Sequence, residues 1–250
     1  MKPQIHTSPV AEAFLSQDEC PFCHLQRDTE QRAIRYFAGP SASYMEPGVR
    51  SITNEKGFCP DHIKKLYDYG NPLGSALMLQ TYCEKVLLQL EDQMENYDIP
   101  LKKGLFQRKR PSNENPYPLQ LQQQVRQCAI CDQAEANMQR QFRVFFSLLK
   151  EEEFRQMVAS SKGFCLGHFA RLLQDAQDHL PAPQAKWFYD TVYAVMKDNL
   201  QRVKQDLDWF IAKYDYRNMN APWGESKDAL PRIMQKLASI YPTDAPYRKD

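Results

Sequence analysis

Apolar positions recur at steps of three and four along most of this chain, the period of helices with one buried face. Leu79, Cys83, Val86, Leu90, Met94 and Tyr97 trace one stripe, and Met196, Leu200, Val203, Leu207, Phe210 and Tyr214 a second. They predict long amphipathic helices near 73–98 and 183–214. Helix formers also run from Cys20 to about Ala38 and from Cys128 to about Ser160, the latter with Phe142, Phe145, Phe146 and Leu149 on one stripe. Two shorter helices are expected near 59–69 and 165–179. After an Ala221-Pro-Trp-Gly224 turn, a last helix is expected with Asp228 as its cap and Pro231 tolerated in its first turn. The pattern is all-α.

The stretch between these elements divides the chain. Residues 99–118 hold Lys102-Lys103, Arg108-Lys-Arg110 and several prolines, which reads as an exposed linker. A first helical repeat is then expected over 1–98, a second over 119–214, and a C-terminal tail and helix over 215–250. From Ala38 to Lys56 the prolines and glycines suggest a long irregular insertion, a kind of segment that often carries function.

Composition narrows the class. The 250 residues carry 32 Lys and Arg against 31 Asp and Glu, a net charge of +1, so a dedicated nucleic-acid binder is disfavoured and the basic linker reads as a solvated charge run. Nine Gly against 17 Pro suits helices better than a turn-rich sandwich. The start, Met1-Lys-Pro-Gln-Ile-His-Thr-Ser-Pro-Val10, has no apolar leader and no stretch is long enough to span a membrane; a cytoplasmic location is expected by elimination. Seven cysteines in such a chain point to metal or redox chemistry before disulfides.

Six of those cysteines fall in a repeated frame. Cys20-Pro-Phe-Cys23 precedes Gly57-Phe-Cys59-Pro-Asp-His62, and Cys128-Ala-Ile-Cys131 precedes Gly163-Phe-Cys165-Leu-Gly-His168. The step from Cys20 to Cys128, 108 residues, also aligns Gln31-Arg32 with Gln139-Arg140, Arg35 with Arg143 and Phe37 with Phe145, the mark of an internal duplication. Three thiolates and an imidazole satisfy tetrahedral zinc with no open position, and thiolates at helix starts are favoured by the helix dipole. Two zinc ions per chain are therefore expected, one on Cys20, Cys23, Cys59 and His62 and the other on Cys128, Cys131, Cys165 and His168. A crossed arrangement, in which one copy's Cys pair meets the other's Cys-x-x-His, stays open. Structural zinc in small peptides contributes about 10–16 kcal/mol of apparent free energy, enough to fix a helix pair. Compact ferredoxin spacings are absent, which places an iron–sulfur cluster behind zinc. Cys20-Pro-Phe-Cys23-His24 also fits a c-type haem string, but the second copy has Asp132 where His24 stands, and His24 is better read as a solvated first-turn residue. Cys83, outside the frame, is expected to pack in the core.

No phosphate loop, Gly-x-Ser-x-Gly elbow, His-Glu-x-x-His helix or zinc-deaminase motif occurs, and a metal with four protein ligands lacks a position for substrate. Enzymatic activity is thus disfavoured. The favoured reading is a zinc-stabilised module that binds a protein or small-molecule ligand. The alternatives are a thiol-based redox or zinc-release sensor, and an enzyme with a site in the 39–50 loop.

The loop Gly39-Pro40 to Arg50 with its Tyr44-Met-Glu-Pro47, the block Asn54-Glu-Lys-Gly-Phe-Cys59, and the tail Ala221-Pro-Trp-Gly … Ser226-Lys-Asp-Ala-Leu-Pro-Arg232 resemble an uncharacterised bacterial family, domain of unknown function 6062. The resemblance covers nearly the whole chain. It implies the metal frame and the fold extent, and no substrate. Tyr44, Met45, Glu46 and Arg50 in the loop and Trp223 and Arg232 in the tail are the candidates for contact with a ligand or partner.

Overall fold

The computed structural model describes residues 8–16, 18–41, 43–96 and 117–239. Within them lie eleven α-helices and no strand: α1 (Pro9–Leu15), α2 (Pro21–Ala38), α3 (Pro47–Lys56), α4 (Pro60–Tyr69), α5 (Pro72–Asn96), α6 (Tyr117–Gln124), α7 (Ala129–Leu148), α8 (Glu152–Ala159), α9 (Leu166–His179), α10 (Ala182–Ala212) and α11 (Ala229–Ala238). The first five each begin on a proline. Its fixed φ suits the first helical residue, where an N–H would have no intrahelical acceptor anyway.

The expected elements near 59–69, 73–98, 165–179, 183–214 and after Asp228 are present. Three expectations are corrected. The segment from Ala38 to Lys56 is not irregular: a 3-10 turn at Ser43–Met45 leads into α3, which buries Val49 and Thr53 and stops at Gly57. The helix expected from Cys128 to Ser160 is broken after Leu148, and α8 starts afresh behind Glu151 with Glu152 and Glu153 at its positive end, where the dipole favours acids. α1 and α6 were not anticipated. Asp228 does occupy the cap of α11, but its carboxylate accepts from Arg232 Nε at 2.8 Å and makes no cap bond. The basic linker residues Lys102 to Arg110 lie outside the described residues.

The chain forms two compact units. The first takes residues 1–29 and 137–250, the second residues 30–136. α2 thus gives its first half to one unit and its second half to the other, and α7 does the reverse. The core of the first unit is aromatic: Phe22 stacks on Phe142 at 4.3 Å, Phe145 meets Phe22 edge to face, and Phe14 meets Phe22, Phe154 and Phe164 edge to face. The second unit has a smaller core of Ile34, Phe37, Val49, Phe58, Leu66, Met78 and Ile130.

The first unit also buries charge. Lys236 on α11 is fully buried, with Nζ 2.5 Å from the Glu19 carbonyl, 3.3 Å from the Glu19 carboxylate, and donating to the Lys162 carbonyl. Glu19, equally buried, also accepts from Arg202 at 2.5 Å. Burial works to raise the Glu19 carboxyl, but Lys236 and Arg202 overrule it and hold it below its ordinary value. Beside it, Asp18 accepts from Arg27 and, at 2.9 Å, from Gln235 of α11. These bonds fasten the C-terminal helix to the segment that leads into Cys20.

Removing one member of such a set strands the other in low dielectric. Glu19→Ala is expected to lose about 3–5 kcal/mol of stability, because it leaves the fully buried Lys236, whose ammonium form burial already disfavours, without its carboxylate partner. Lys236→Met, which removes the buried cation and retains an apolar stem, is expected to lose less. Denaturant unfolding of the two variants checks the order.

Candidate metal centres

Each half of the repeated frame opens a helix, and its two ligands stand at the cap position and the third helical residue. Cys20 and Cys23 do so on α2, Cys59 and His62 on α4, Cys128 and Cys131 on α7, Cys165 and His168 on α9. A cap oxygen ordinarily accepts from the third N–H; here sulfur takes that role, at 3.4 Å from Cys23 N to Cys20, 3.5 Å from Cys131 N to Cys128 and 3.4 Å from His168 N to Cys165. The glycine and phenylalanine of each Gly-Phe-Cys have their own reasons. Gly57 and Gly163 have φ of 60° and 80°, a region closed to most side chains, and a Cβ on Gly57 would sit 2.5 Å from the Tyr82 ring. Phe58 and Phe164 then bury in the two cores.

The eight ligands assemble into two sets of four, and the sets are crossed. Cys20, Cys23, Cys165 and His168 form the first centre, within the first unit; Cys59, His62, Cys128 and Cys131 form the second, within the second unit. The within-copy assignment of Cys20 and Cys23 to Cys59 and His62, and of Cys128 and Cys131 to Cys165 and His168, is therefore corrected. The physical reason is helix length. α2 carries the chain about 27 Å and α7 about 30 Å away from the Cys pair, whereas α3 and α8 run only about 15 and 12 Å. Each Cys pair begins a helix whose second half belongs to the other unit, and the Gly-Phe-Cys block that comes later in the chain lies in that unit too.

All four donor atoms of each set lie within 4.8 Å of one another. In the first centre His168 Nδ1 is 3.5, 3.5 and 3.1 Å from the sulfurs of Cys20, Cys23 and Cys165. In the second His62 Nδ1 is 3.2, 3.3 and 3.3 Å from those of Cys59, Cys128 and Cys131, and the Cys59 and Cys131 sulfurs are 3.9 Å apart. One nitrogen facing three sulfurs is a poor hydrogen-bond geometry and a good coordination shell. Each set could hold one metal ion.

The electrostatics favour capture of a cation. In the first centre hydrogen bonds from Cys20 and Cys23, against burial, hold the Cys165 thiol far below its ordinary value. In the second, burial works to raise Cys128, yet the hydrogen bond from His62 brings it to about 6. Burial opposes protonation of both imidazoles, but contact with the thiolates lifts His62 to about 10 and His168 to about 9. Each centre thus pairs thiolate with imidazolium, protons that a metal ion would displace.

The two centres differ in their surroundings. The sulfurs of the first are all buried, and the rings of Phe22 and Phe142 lie 5.8 and 6.1 Å from that of His168. Ser239 Oγ donates to Cys165 at 2.9 Å. In the second, Cys131 is exposed and Cys59 half-buried. Its His62 uses Nε2 to donate to Glu30 at 3.1 Å, and Glu30 also pairs with Lys65 at 2.6 Å. Such a carboxylate orients a ligating histidine and fixes which nitrogen is free. The 108-residue step from Glu30 leads to Met138, a buried apolar residue, so the first centre has no counterpart at that position. Glu30 was missed in the sequence; its place two helical turns beyond Cys23 was the available signal, hidden by the within-copy pairing.

The other candidates are dispersed. Tyr44 packs into the second core, over Gly74, where a Cβ would come within 2.8 Å of its ring. Arg50 donates to the Leu77 carbonyl, while Met45 and Glu46 face solvent. In the first unit Trp223 lies over the Lys213 ammonium at 5.2 Å, and that ammonium donates to the carbonyls of Asn218, Met219 and Ala221. Arg232 is buried and bound to Asp228, Asp206 and the Glu225 carbonyl. Tyr44, Arg50, Trp223 and Arg232 thus all hold structure together. His24, partly exposed, lies 3.3 Å from Asp18. Cys83 is exposed, not in the core as expected.

A family model described as a family of unknown function, DUF6062, matches residues 1–244. No curated protein and no solved structure matches the chain.

Crossing has a chemical signature. In Cys23→Ser, alkylation of the metal-loaded protein is expected to label Cys165 and Cys20, while Cys59, Cys128 and Cys131 keep their protection; peptide mass spectrometry reads the pattern. Glu30→Gln is expected to weaken metal at the second centre by about 10–100-fold and leave the first unchanged, measured by competition with a chromophoric chelator.

Proposed function

The chain belongs to the DUF6062 family, and we propose that it is a cytoplasmic zinc-stabilised interaction module, with one structural Cys3His zinc ion in each unit. The observation that carries this is the size of the two donor sets. Tetrahedral zinc with Zn–S of about 2.3 Å and Zn–N of about 2.0–2.1 Å spaces sulfur from sulfur by about 3.8 Å and sulfur from nitrogen by about 3.6 Å. Cys59 and Cys131 in the second set have their sulfurs 3.9 Å apart, and the sulfur–nitrogen distances of both sets are 3.1–3.5 Å. An iron–sulfur cluster distributes its ligands over several irons and requires a wider shell. With four protein donors the ion has no position for substrate, which supports a structural over a catalytic role. Among the described residues no helix is long and apolar enough to cross a membrane. Zinc when bound neutralises the clustered thiolates and clips two helix starts together; the helices then hold a surface for a partner.

A second reading rests on the exposure of Cys131 beside Cys59. Hydrogen peroxide could convert their two thiolates, with two protons, to one disulfide and two waters, releasing the ion from the second centre only. The buried sulfurs of the first offer no such access.

Metal analysis of untagged protein is expected to give two zinc per chain, with six thiols protected until the protein is denatured in chelator. Iron with visible absorbance, or thiols that react freely, would sink the structural-zinc reading. Full zinc retention in mild peroxide would dispose of the sensor; loss of one zinc with a Cys59–Cys131 disulfide would establish it.

A further inference from the structure

We propose that the outer face of α5 is a self-association surface, which pairs with the same helix of a second copy of this chain. α5 has two faces. Its inner one packs within the second unit: Met78 is fully buried, Tyr82 lies over Gly57, Lys85 donates to the Glu55 carbonyl at 3.1 Å, and Gln89 accepts from Gln124 at 3.2 Å. The outer face, about 160° round the helix at 3.6 residues per turn, carries Leu73, Cys83, Leu87, Leu90 and Met94, with Ala76 and Gln80 between them. All of these positions are exposed, Leu87 by 52% and Met94 by 74%.

Their spacing is 3-4-3-4-3-4 across three heptads, the register of a coiled-coil seam. Leu73, Gln80, Leu87 and Met94 take one core position and Ala76, Cys83 and Leu90 the other. An ordinary solvent face looks different. The long α10 presents Lys186, Asp190, Lys204 and Asp208 outward, as Lys186–Asp190 and Lys204–Asp208 ion pairs at 2.6 Å. The seam of α5 contains no charge at all.

Two features select a second copy in parallel register. Gln80 is the one strongly polar seam residue, and an amide both donates and accepts; in a parallel pair it meets its own counterpart. Flanking the seam, Glu84 and Glu91 occupy one side and Val86 and Gln93 the other. Parallel pairing sets the acidic flank against the uncharged one, whereas antiparallel pairing sets acid against acid. The seam is about 33 Å long, and short for a specific contact, so dimerisation at micromolar concentration is expected.

Light scattering after size exclusion on metal-loaded full-length protein, from about 1 to about 100 µM, tests this. Mass is expected to rise toward that of a dimer with concentration. A short bis-maleimide is expected to join two chains through Cys83, the one cysteine outside the metal frame, and to fail in Cys83→Ser. The double variant Leu87→Glu, Leu90→Glu changes exposed positions only. It is expected to keep its helicity and metal content while remaining monomeric. Monomer at every concentration, or a dimer that survives the double variant, would overturn the proposal. So would a Cys83 that resists a simple maleimide in the monomer, since the chain itself would then cover the face. Metal content is read on the same samples, so failure of the zinc reading is seen separately.

Discussion

A single ion accepts four donors only if they converge within a few ångströms, and in this protein every donor sits at the start of a helix. That constraint organises the structure. Cap and third-residue positions place two ligands on one side of a helix start, so a centre requires two helix starts to face each other. The same arrangement aims two helix dipoles at each cluster of thiolates, which lowers the cost of holding anions side by side. The Gly-Phe-Cys block follows from the same need. Glycine supplies the positive φ that turns the chain, phenylalanine anchors the turn in a core, and cysteine arrives as the cap of the next helix.

The two centres share a donor set and differ in what surrounds it. The first is enclosed by aromatic rings and by the C-terminal helix, whose Ser239 reaches Cys165 and whose Lys236 and Gln235 hold the residues just before Cys20. Burial there keeps the three sulfurs away from solvent. The second trades enclosure for a polar support, Glu30, and leaves Cys131 in contact with solvent. The difference comes from residues outside the motif.

The exposed seam on α5 shows the same separation between pattern and environment. Periodicity along α5 reported an apolar stripe, and the stripe chosen from the sequence, Leu79 to Tyr97, mixed inner and outer positions. Leu79 packs in the core, whereas Cys83, Leu90 and Met94 face solvent. A helix with apolar residues on two sides cannot say which side its own unit covers.

The eight ligands, the helical class and most helix positions were legible in the sequence, because they depend on local rules: cap chemistry, the 3.6-residue period, and glycine where φ is positive. What local rules could not decide was which Cys pair meets which Cys-x-x-His. That pairing depends on α2 and α7 being longer than the helices that follow them, a matter of three-dimensional path. For the same reason Glu30 was invisible as a partner of His62, and Arg232 and Trp223 looked like surface contacts when their charge and ring are spent on Asp206, Asp228 and Lys213. Spacing in the chain determined what each residue could bind, and the tertiary structure decided what came within reach of it.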